Sequence, residues 1–477
     1  MTMEEVVRRV QDGWGGDRGY GLTRIEDPAD GTPFIEAPIA APEEVEAAVN
    51  AARAAQPGWA RTPAAQRGAA IARAAAAVER QADALAWLTT REMGKPLRDA
   101  RGGVQAGIDT LRQYAELGPL HRGRSLAGLP AAADLMVYEP RGVVAVITPW
   151  NDPVAVSCGL LGAALVTGNT AVYKPSERTP ATGWLLGELL AAELPEGVLA
   201  TLAGDGHVGV ELTAQRLDVV AHVGSSAAGQ AVAAACACTG AKALLENGGC
   251  DPLIVDAGVD AAWAAAQAAV GSFANAGQVC VSVERIYVHE AVAERFLVEL
   301  VSQALGLKTG SGLDAGTQLG PLVDCRHREH VHGHVEGASR SGADVLCGGH
   351  IPDGPGAFYP ATVLCGCTDE MPAMCEETFG PVAPVAVVGS FEEALGRAAE
   401  SAYGLAATVL TADLAHATQA WHELPVGTVK VNSVFGGAPG GAAHPRRASG
   451  QGYGYGPELL DELTYTKVVH LAAAQPA

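Results

Sequence analysis

From Gly142 onward the chain alternates short apolar runs with small-residue helical stretches, and this rhythm restricts the fold more than any other feature. Residues 143–147 (Val-Val-Ala-Val-Ile) are continuously apolar, as a parallel strand buried on both faces requires. A loop at 148–153 follows, then a helix of small residues to Gly168, a strand at 170–173 and a helix at about 180–194. Further strands read near 198–202 and at 219–223, after which Gly224 and Ser225 start another helix. Strands separated by helices pair in parallel through crossovers. The pattern therefore predicts a doubly wound α/β nucleotide-binding unit, with ligand at the carboxyl ends of its strands.

Around this unit the reading is coarser. Residues 1–40 are rich in Gly, Pro and Asp and read as strands and turns of an N-terminal extension. Helices are expected at about 42–55, 62–93 and 98–117, the first opened by Pro42 and acids that suit a helix N-terminus. A strand follows at 135–140. Beyond residue 280 a second α/β unit is expected, with strands at 285–288, 362–364 and 382–388 and helices near 291–305, 326–341 and 391–401. Residues 463–471 alternate as a final strand. At 477 residues, of which 48% are hydrophobic, the chain exceeds one ordinary core, so two or three domains are expected.

The chemistry concentrates between residues 244 and 281. Glu246 and Cys280, 34 residues apart, each stand beside glycines, in Glu246-Asn-Gly-Gly249 and Gly277-Gln-Val-Cys280. Glycine permits the tight turns that expose a side chain at the end of an element. A thiolate nucleophile with a carboxylate base is a workable pair for forming and releasing an acyl group.

The paired signature resembles that of the aldehyde dehydrogenase superfamily, non-CoA-acylating type, and the likeness runs from about residue 20 to 471 with motifs in the family's order. It implies a Rossmann-like cofactor domain (1–118 and 140–247), a second α/β catalytic domain (248–448) and a small β oligomerisation element (119–139 and 456–477). The resemblance makes Cys280 the nucleophile and Glu246 the base that activates water, with Asn151 donating to the oxyanion. It carries cofactor contacts to Thr148 and Trp150 in the loop after the first strand, and to Lys174 and Glu177 at the adenosine ribose. Gly224 and Ser225 would lie near the pyrophosphate, and Glu377 and Phe379 at the nicotinamide ribose and ring. A carboxylate at Glu177 repels a 2′-phosphate, so NAD is expected rather than NADP. Residues 204–209 also match G-x-G-x-x-G, but no acidic residue stands at a strand end about 20 residues on, so Gly224-Ser225 is the expected phosphate site.

The sequence departs from the family pattern in several places. Asn247 stands where Leu is usual, Cys250 and Leu160 where Lys is common, and Gly454 where many members carry a second glutamate. Asp152 replaces a common aromatic, and residues 442–447 replace the usual Pro-Phe-Gly-Gly-Tyr-Lys. Fewer rings and more polar groups predict a roomier, wetter mouth and a polar, semialdehyde or bulky aldehyde as substrate. Two other readings are a CoA-acylating semialdehyde dehydrogenase, which usually lacks the glutamate, and a catalytically silent binding protein on the same fold.

A formal charge of −21 argues against nucleic acid or an anionic membrane as partner. No apolar signal segment and no run of 18 apolar residues is seen, and the ten cysteines read as reduced thiols, so a cytoplasmic protein is expected. The family implies a homodimer or homotetramer in which the C-terminal strand and a segment like 119–139 meet a neighbouring subunit. No metal is expected: the Cys236/Cys238 and Cys365/Cys367 pairs lack zinc spacing, and His327, His330, His332 and His334 read as a solvated helix face.

Overall fold

The apolar runs between residues 143 and 223 lie side by side in one sheet, extended by the strand that ends at Glu246. The structure, a computed structural model, describes residues 2–15, 20–436 and 441–474; the end of the expected 456–477 element, residues 475–477, lies outside the described residues. Across the sheet the order is Gly450–Gln451, Lys242–Glu246, Val219–Val223, Val143–Ile147, Thr170–Lys174 and Leu199–Thr201. All pairs are parallel except the short Gly450–Gln451 strand against Lys242–Glu246. Numbered along the chain, the five parallel strands stand in the order 3-2-1-4-5, and the winding reverses between Val143–Ile147 and Val219–Val223. A sheet wound this way leaves a crevice outside the carboxyl ends of those two central strands.

Alternation of side chains assigns each strand residue to a face. Val144, Val146, Tyr173 and Ala221 pack with the helices Ala64–Arg80, Leu97–Leu120, Pro153–Val166 and Pro180–Ala191. Val143, Ala145, Val172 and Val220 pack on the opposite face with Pro42–Arg61, Gly206–Ala214 and Ser226–Thr239. Each fully buried Val or Leu of these layers contributes about 1.5–3 kcal/mol relative to an exposed one.

The second α/β unit is a seven-stranded sheet in the order Asp344–Cys347, Thr362–Cys365, Val382–Val388, Val283–His289, Asp251–Val255, Ala406–Leu410 and Thr428–Val431. Its edge strand Asp344–Cys347 is antiparallel and the remaining pairs are parallel. A third sheet joins Thr464–Ala472 to Ala132–Pro140 over nine paired residues, with Arg124–Leu126 beyond. The tail thus pairs with the 132–140 segment of its own chain.

Two expectations are corrected. Residues 3–14 form a helix, Met3–Trp14, rather than strands and turns; Thr2 and Glu5 make a reciprocal capping box, and Val6, Val10 and Trp14 bury one stripe. Strands Leu22–Glu26 and Pro33–Pro38 do follow as an antiparallel pair. The block 62–93 is two helices, Ala64–Arg80 and Ala82–Met93, broken where Gln81 leaves helical geometry. Among the described residues no helix is long and apolar enough to cross a membrane.

Candidate active site

The loop that carries Cys280 is built from backbone that few residues adopt. Asn275, Ala276 and Gly277 lie in succession in the left-handed region (φ +50°, +55° and +73°). A Cβ at Gly277 would stand 2.0 Å from the Gly380 carbonyl oxygen, so only glycine fits there. Buried Gln278 pins the turn: its Oε1 accepts from Val323 N at 2.9 Å and its Nε2 donates to Asn275 O at 3.0 Å. Asn151 reaches the same place, Nδ2 donating to Gln278 O at 3.1 Å. An amide nitrogen carries two hydrogens, so one remains for a substrate oxygen.

Glu246 arrives from the other sheet. It ends the strand Lys242–Glu246, and Gly450 pairs with it on the outer edge. A Cβ at Gly450 (φ +126°) would stand 1.9 Å from Leu245 O, which makes glycine obligatory for that pairing. Cys280 Sγ donates to Glu246 Oε1 at 3.8 Å. Burial pushes the thiol well above its ordinary range, and the carboxylates of Glu246, Asp251 and Glu377 push the same way. Burial also raises Glu246, against a smaller opposing effect of the thiol hydrogen bond. The pair is therefore a neutral thiol facing a carboxylate whose basicity burial has increased.

The three catalytic candidates and all eight cofactor candidates line one cleft of about 990 Å³. Thr148, Trp150 and Asn151 come from the loop after Val143–Ile147, and Lys174 and Glu177 from the end of the next strand. Lys174 is buried, donates to Pro175 O at 3.2 Å and stands 3.9 Å from Glu177 Oε2; burial lowers its pKa. Ser225 caps the helix Ser226–Thr239, accepting from Ala228 N at 3.3 Å. Glu377 Oε1 accepts from Gly249 N at 3.2 Å, and burial raises this carboxyl to about 7. Phe379 is held at φ +52° and meets the Trp150 ring edge-on at 5.5 Å.

Sequence reasoning missed several residues that line or support the cleft. Gly206 and Gly209 line the cleft too, because the discounted glycine stretch opens the helix Gly206–Ala214, capped by Asp205. Two helix starts thus line the cleft; the Asp205 carboxylate occupies the first, which leaves the start of Ser226–Thr239, capped by an uncharged serine, as the one suited to an anion. Lys95, two residues beyond the helix Ala82–Met93, donates to Asn151 O at 3.3 Å and pairs with Asp152 Oδ2 at 3.2 Å. Glu284 is buried and accepts from Thr378 N and Phe379 N at 2.9 and 3.0 Å, fixing the strained loop. His222 lies on the cleft floor.

The histidine segment is not the solvated face expected. His327 stands edge-on to Trp150 and its Nε2 donates to Phe379 O at 2.7 Å, while His334 is buried with Nδ1 3.0 Å from Thr378 Oγ1. Burial pushes both imidazoles down to about 4. The helix Cys325–Arg340 packs His327 and His334 against the loop that carries Phe379, while exposed His330 lines the cleft and half-buried His332 meets Tyr359 Oη. Among the described residues no group of three or more His, Cys, Asp or Glu is arranged to hold a metal ion.

A dinucleotide fits the residues present. The cleft has apolar walls at Val210, Ala228, Ala231 and Val232, the serine-capped start of Ser226–Thr239, a buried ammonium at Lys174, and an imidazole whose ring nitrogens lack hydrogen-bond partners among the described residues.

Comparison with known proteins agrees. The model of the aldehyde dehydrogenase family matches residues 17–469. An aldehyde dehydrogenase of Paenarthrobacter nicotinovorans is 36% identical over 423 residues, covering 87% of this chain and 92% of that relative. Betaine aldehyde dehydrogenase from Staphylococcus aureus, solved in complex with NAD+, superposes with a TM-score of 0.93 at 29% identity, covering 97% of this chain and 93% of that one. An NADP-dependent enzyme of E. coli superposes with a TM-score of 0.92 at 31% identity, covering 96% of each chain. A match that spans both large sheets and the C-terminal strand leaves one assignment: the chain belongs to the aldehyde dehydrogenase family, as an NAD(P)-dependent oxidoreductase acting on aldehydes.

Proposed function

We propose that the protein oxidises a polar, semialdehyde or bulky aldehyde to its carboxylate with NAD in preference to NADP, through an acyl group carried on Cys280. The observation that carries this reading is the 3.8 Å contact of Cys280 Sγ with Glu246 Oε1 at the point where two sheets and the Asn151 loop converge. Glu246 takes the thiol proton, and the sulfur attacks the carbonyl carbon to give a thiohemiacetal. Its oxyanion sits between the free hydrogen of Asn151 Nδ2 and the Cys280 backbone N–H. Lys174, Glu177, Gly224-Ser225, Glu377 and Phe379, with Thr148 and Trp150, would hold the dinucleotide in the cleft, where it would accept the hydrogen of the former aldehyde carbon as hydride. The acyl group then rests on Cys280 as a thioester. Glu246, having released its proton to solvent, takes one from water as that water attacks, and the carboxylate product leaves.

The cofactor preference rests on Glu177, whose half-exposed carboxylate lies 3.9 Å from Lys174 and opposes a further phosphate. The substrate class rests on the Lys95–Asp152 pair beside Asn151, which puts charge where many relatives carry a ring. The proposal includes a cofactor domain of 1–118 and 140–247, a catalytic domain of 248–448, and an oligomerisation element of 119–139 and 456–477 serving a homodimer or homotetramer. Exposed Leu126, Val468 and Leu471 on the third sheet, with exposed Leu129 in the loop between two of its strands, support that element. Ten free cysteines support a cytoplasmic location.

The test is reduced-nicotinamide absorbance with NAD or NADP and an aldehyde panel, comparing wild type with Cys280→Ala. Turnover by wild type alone supports the thiolate path. Preference for simple alkanals by kcat/KM would overturn the substrate class, and a requirement for CoA would overturn water as the acyl acceptor.

A further inference from the structure

His222 is an imidazole in a place where packing alone has no use for one. It is the fourth residue of the strand Val219–Val223, and in the parallel register it stands level with Ile147, which in turn stands level with Lys174. Residues level with one another on adjacent parallel strands point to the same face. His222 and Lys174 therefore flank Ile147 on the floor of the cleft, at the crevice where the winding of the sheet reverses. Its residue is only 5% exposed, and neither ring nitrogen has a hydrogen-bond partner among the described residues. The Cε1–Nε2 edge lies towards Gly224, where a Cβ would come within 2.8 Å of Cε1 and 3.0 Å of Nε2. The ring is thus seated beneath the helix start that faces the cleft.

A buried polar atom without a partner costs free energy that an apolar ring of the same shape would not. An aromatic hydrocarbon would fill this space without that penalty, so the imidazole needs a partner from outside the chain. We propose that His222 is a cofactor-recognition residue, hydrogen-bonding from the cleft floor to an uncharged hydroxyl or amino group of the bound nicotinamide dinucleotide. This rests on the reading of the cleft as the dinucleotide site. Burial pushes the imidazole down to about 4; the Ser225 backbone, near the ring but outside hydrogen-bond geometry, opposes this, and the charge of Lys174 adds a smaller push the same way. At neutral pH the ring is uncharged, with one donor and one acceptor, which suits a hydroxyl or amine and gives no counter-charge to a phosphate. Lys174, level with it two strands away, supplies the positive charge instead.

The experiment is equilibrium titration of the full-length protein with NAD+ and with NADP+ by calorimetry, for wild type, His222→Phe and His222→Asn, alongside thermal unfolding without dinucleotide. His222→Phe is expected to weaken both cofactors by about ten- to a hundredfold, while raising the unfolding temperature of the free protein. His222→Asn, which keeps a donor and an acceptor, is expected to recover part of that affinity. Wild-type affinity of His222→Phe for both cofactors would overturn the proposal. If His222→Phe does not fold, His222→Leu beside His222→Asn decides it: equal affinities of those two overturn the assignment. Weakening confined to NADP+ would overturn the uncharged contact. A wild-type protein that binds neither dinucleotide would instead bring down the reading of the cleft.

Discussion

Glu246→Gln keeps the volume of the side chain and removes the proton acceptor that Cys280 Sγ faces at 3.8 Å. Burial and the neighbouring carboxylates of Glu246, Asp251 and Glu377 hold the thiol protonated at neutral pH. Sulfur in that state cannot attack until a group in contact removes its proton. A positioned base is worth about 10²–10⁴ in rate, or about 2.7–5.4 kcal/mol at 1.36 kcal/mol per tenfold. If Glu246 serves both the thiol and the later water, the loss falls on both half-reactions. In stopped flow with saturating cofactor and aldehyde, the first turnover of reduced nicotinamide should slow by about 10²–10⁴, together with the steady state. The variant should bind dinucleotide as wild type does and unfold at no lower temperature, because an amide replaces a carboxylate that burial disfavours in its charged form. A first turnover at wild-type rate and full amplitude, followed by slow steady turnover, would refute the proton path from Cys280 and confine Glu246 to thioester hydrolysis.

Other perturbations follow from distances around the same site. Asn151→Ala should lower kcat by about 10²–10³, near 2.7–4 kcal/mol, with little change in cofactor affinity by titration. A Cβ at Gly454 would lie 2.8 Å from Glu246 Oε2, so Gly454→Ala should displace the base and cost about 10² in kcat while leaving thermal unfolding nearly unchanged. A Cβ at Gly248 would lie 2.0 Å from Glu377 Oε2, so Gly248→Ala should raise the KM for the dinucleotide more than it lowers kcat in initial-rate assays. Glu92 is buried under Ala181 and Thr182, and burial raises its pKa from 4.5 to about 7. The folded state then holds this proton more tightly than the unfolded chain. Stability should be fully present below about pH 4.5 and fall by about 3 kcal/mol as pH rises through about 7. Thermal unfolding across that window checks the sign, and Glu92→Gln should flatten the slope.

The sheet strands were legible because burial on both faces demands continuous apolar runs, and 143–147 and 219–223 are such runs. That Glu246 and Cys280 share one cleft was legible from the glycines beside each, whereas Asn151 was placed with them only through the family resemblance. The N-terminal helix was obscured by Gly, Pro and Asp elsewhere in residues 1–40, although Thr2 with Glu5 and the spacing of Val6, Val10 and Trp14 carried its signal. Lys95, Glu284 and His327 act through partners 50 or more residues away, at Asn151, Phe379 and Phe379 again, and no local pattern encodes such contacts. For the histidine-rich helix, polar composition suggested solvent. What it could not convey was that the Phe379 loop packs over that face and buries two of the rings. His222 was read only as one residue of a strand, since a single polar residue among valines gives no hint of what faces it.

The edge strand Gly450–Gln451 has a consequence for recombining this protein with its relatives. Ser449, fully buried beside it, donates to Gly248 O at 2.9 Å and accepts from Gly404 N at 3.0 Å, while its carbonyl accepts from Asn247 N at 2.8 Å. One serine thus ties the end of the Glu246 strand to the unit that carries Cys280. Chimeras that exchange residues 143–246 with a relative but keep this segment would inherit a base aligned by one parent's stitch and a nucleophile set by the other's loop. Such hybrids would fold and take up cofactor yet turn over poorly. Moving 446–451 together with the strand it edges would keep base and stitch from one parent, and makes that segment the natural companion of any domain exchange.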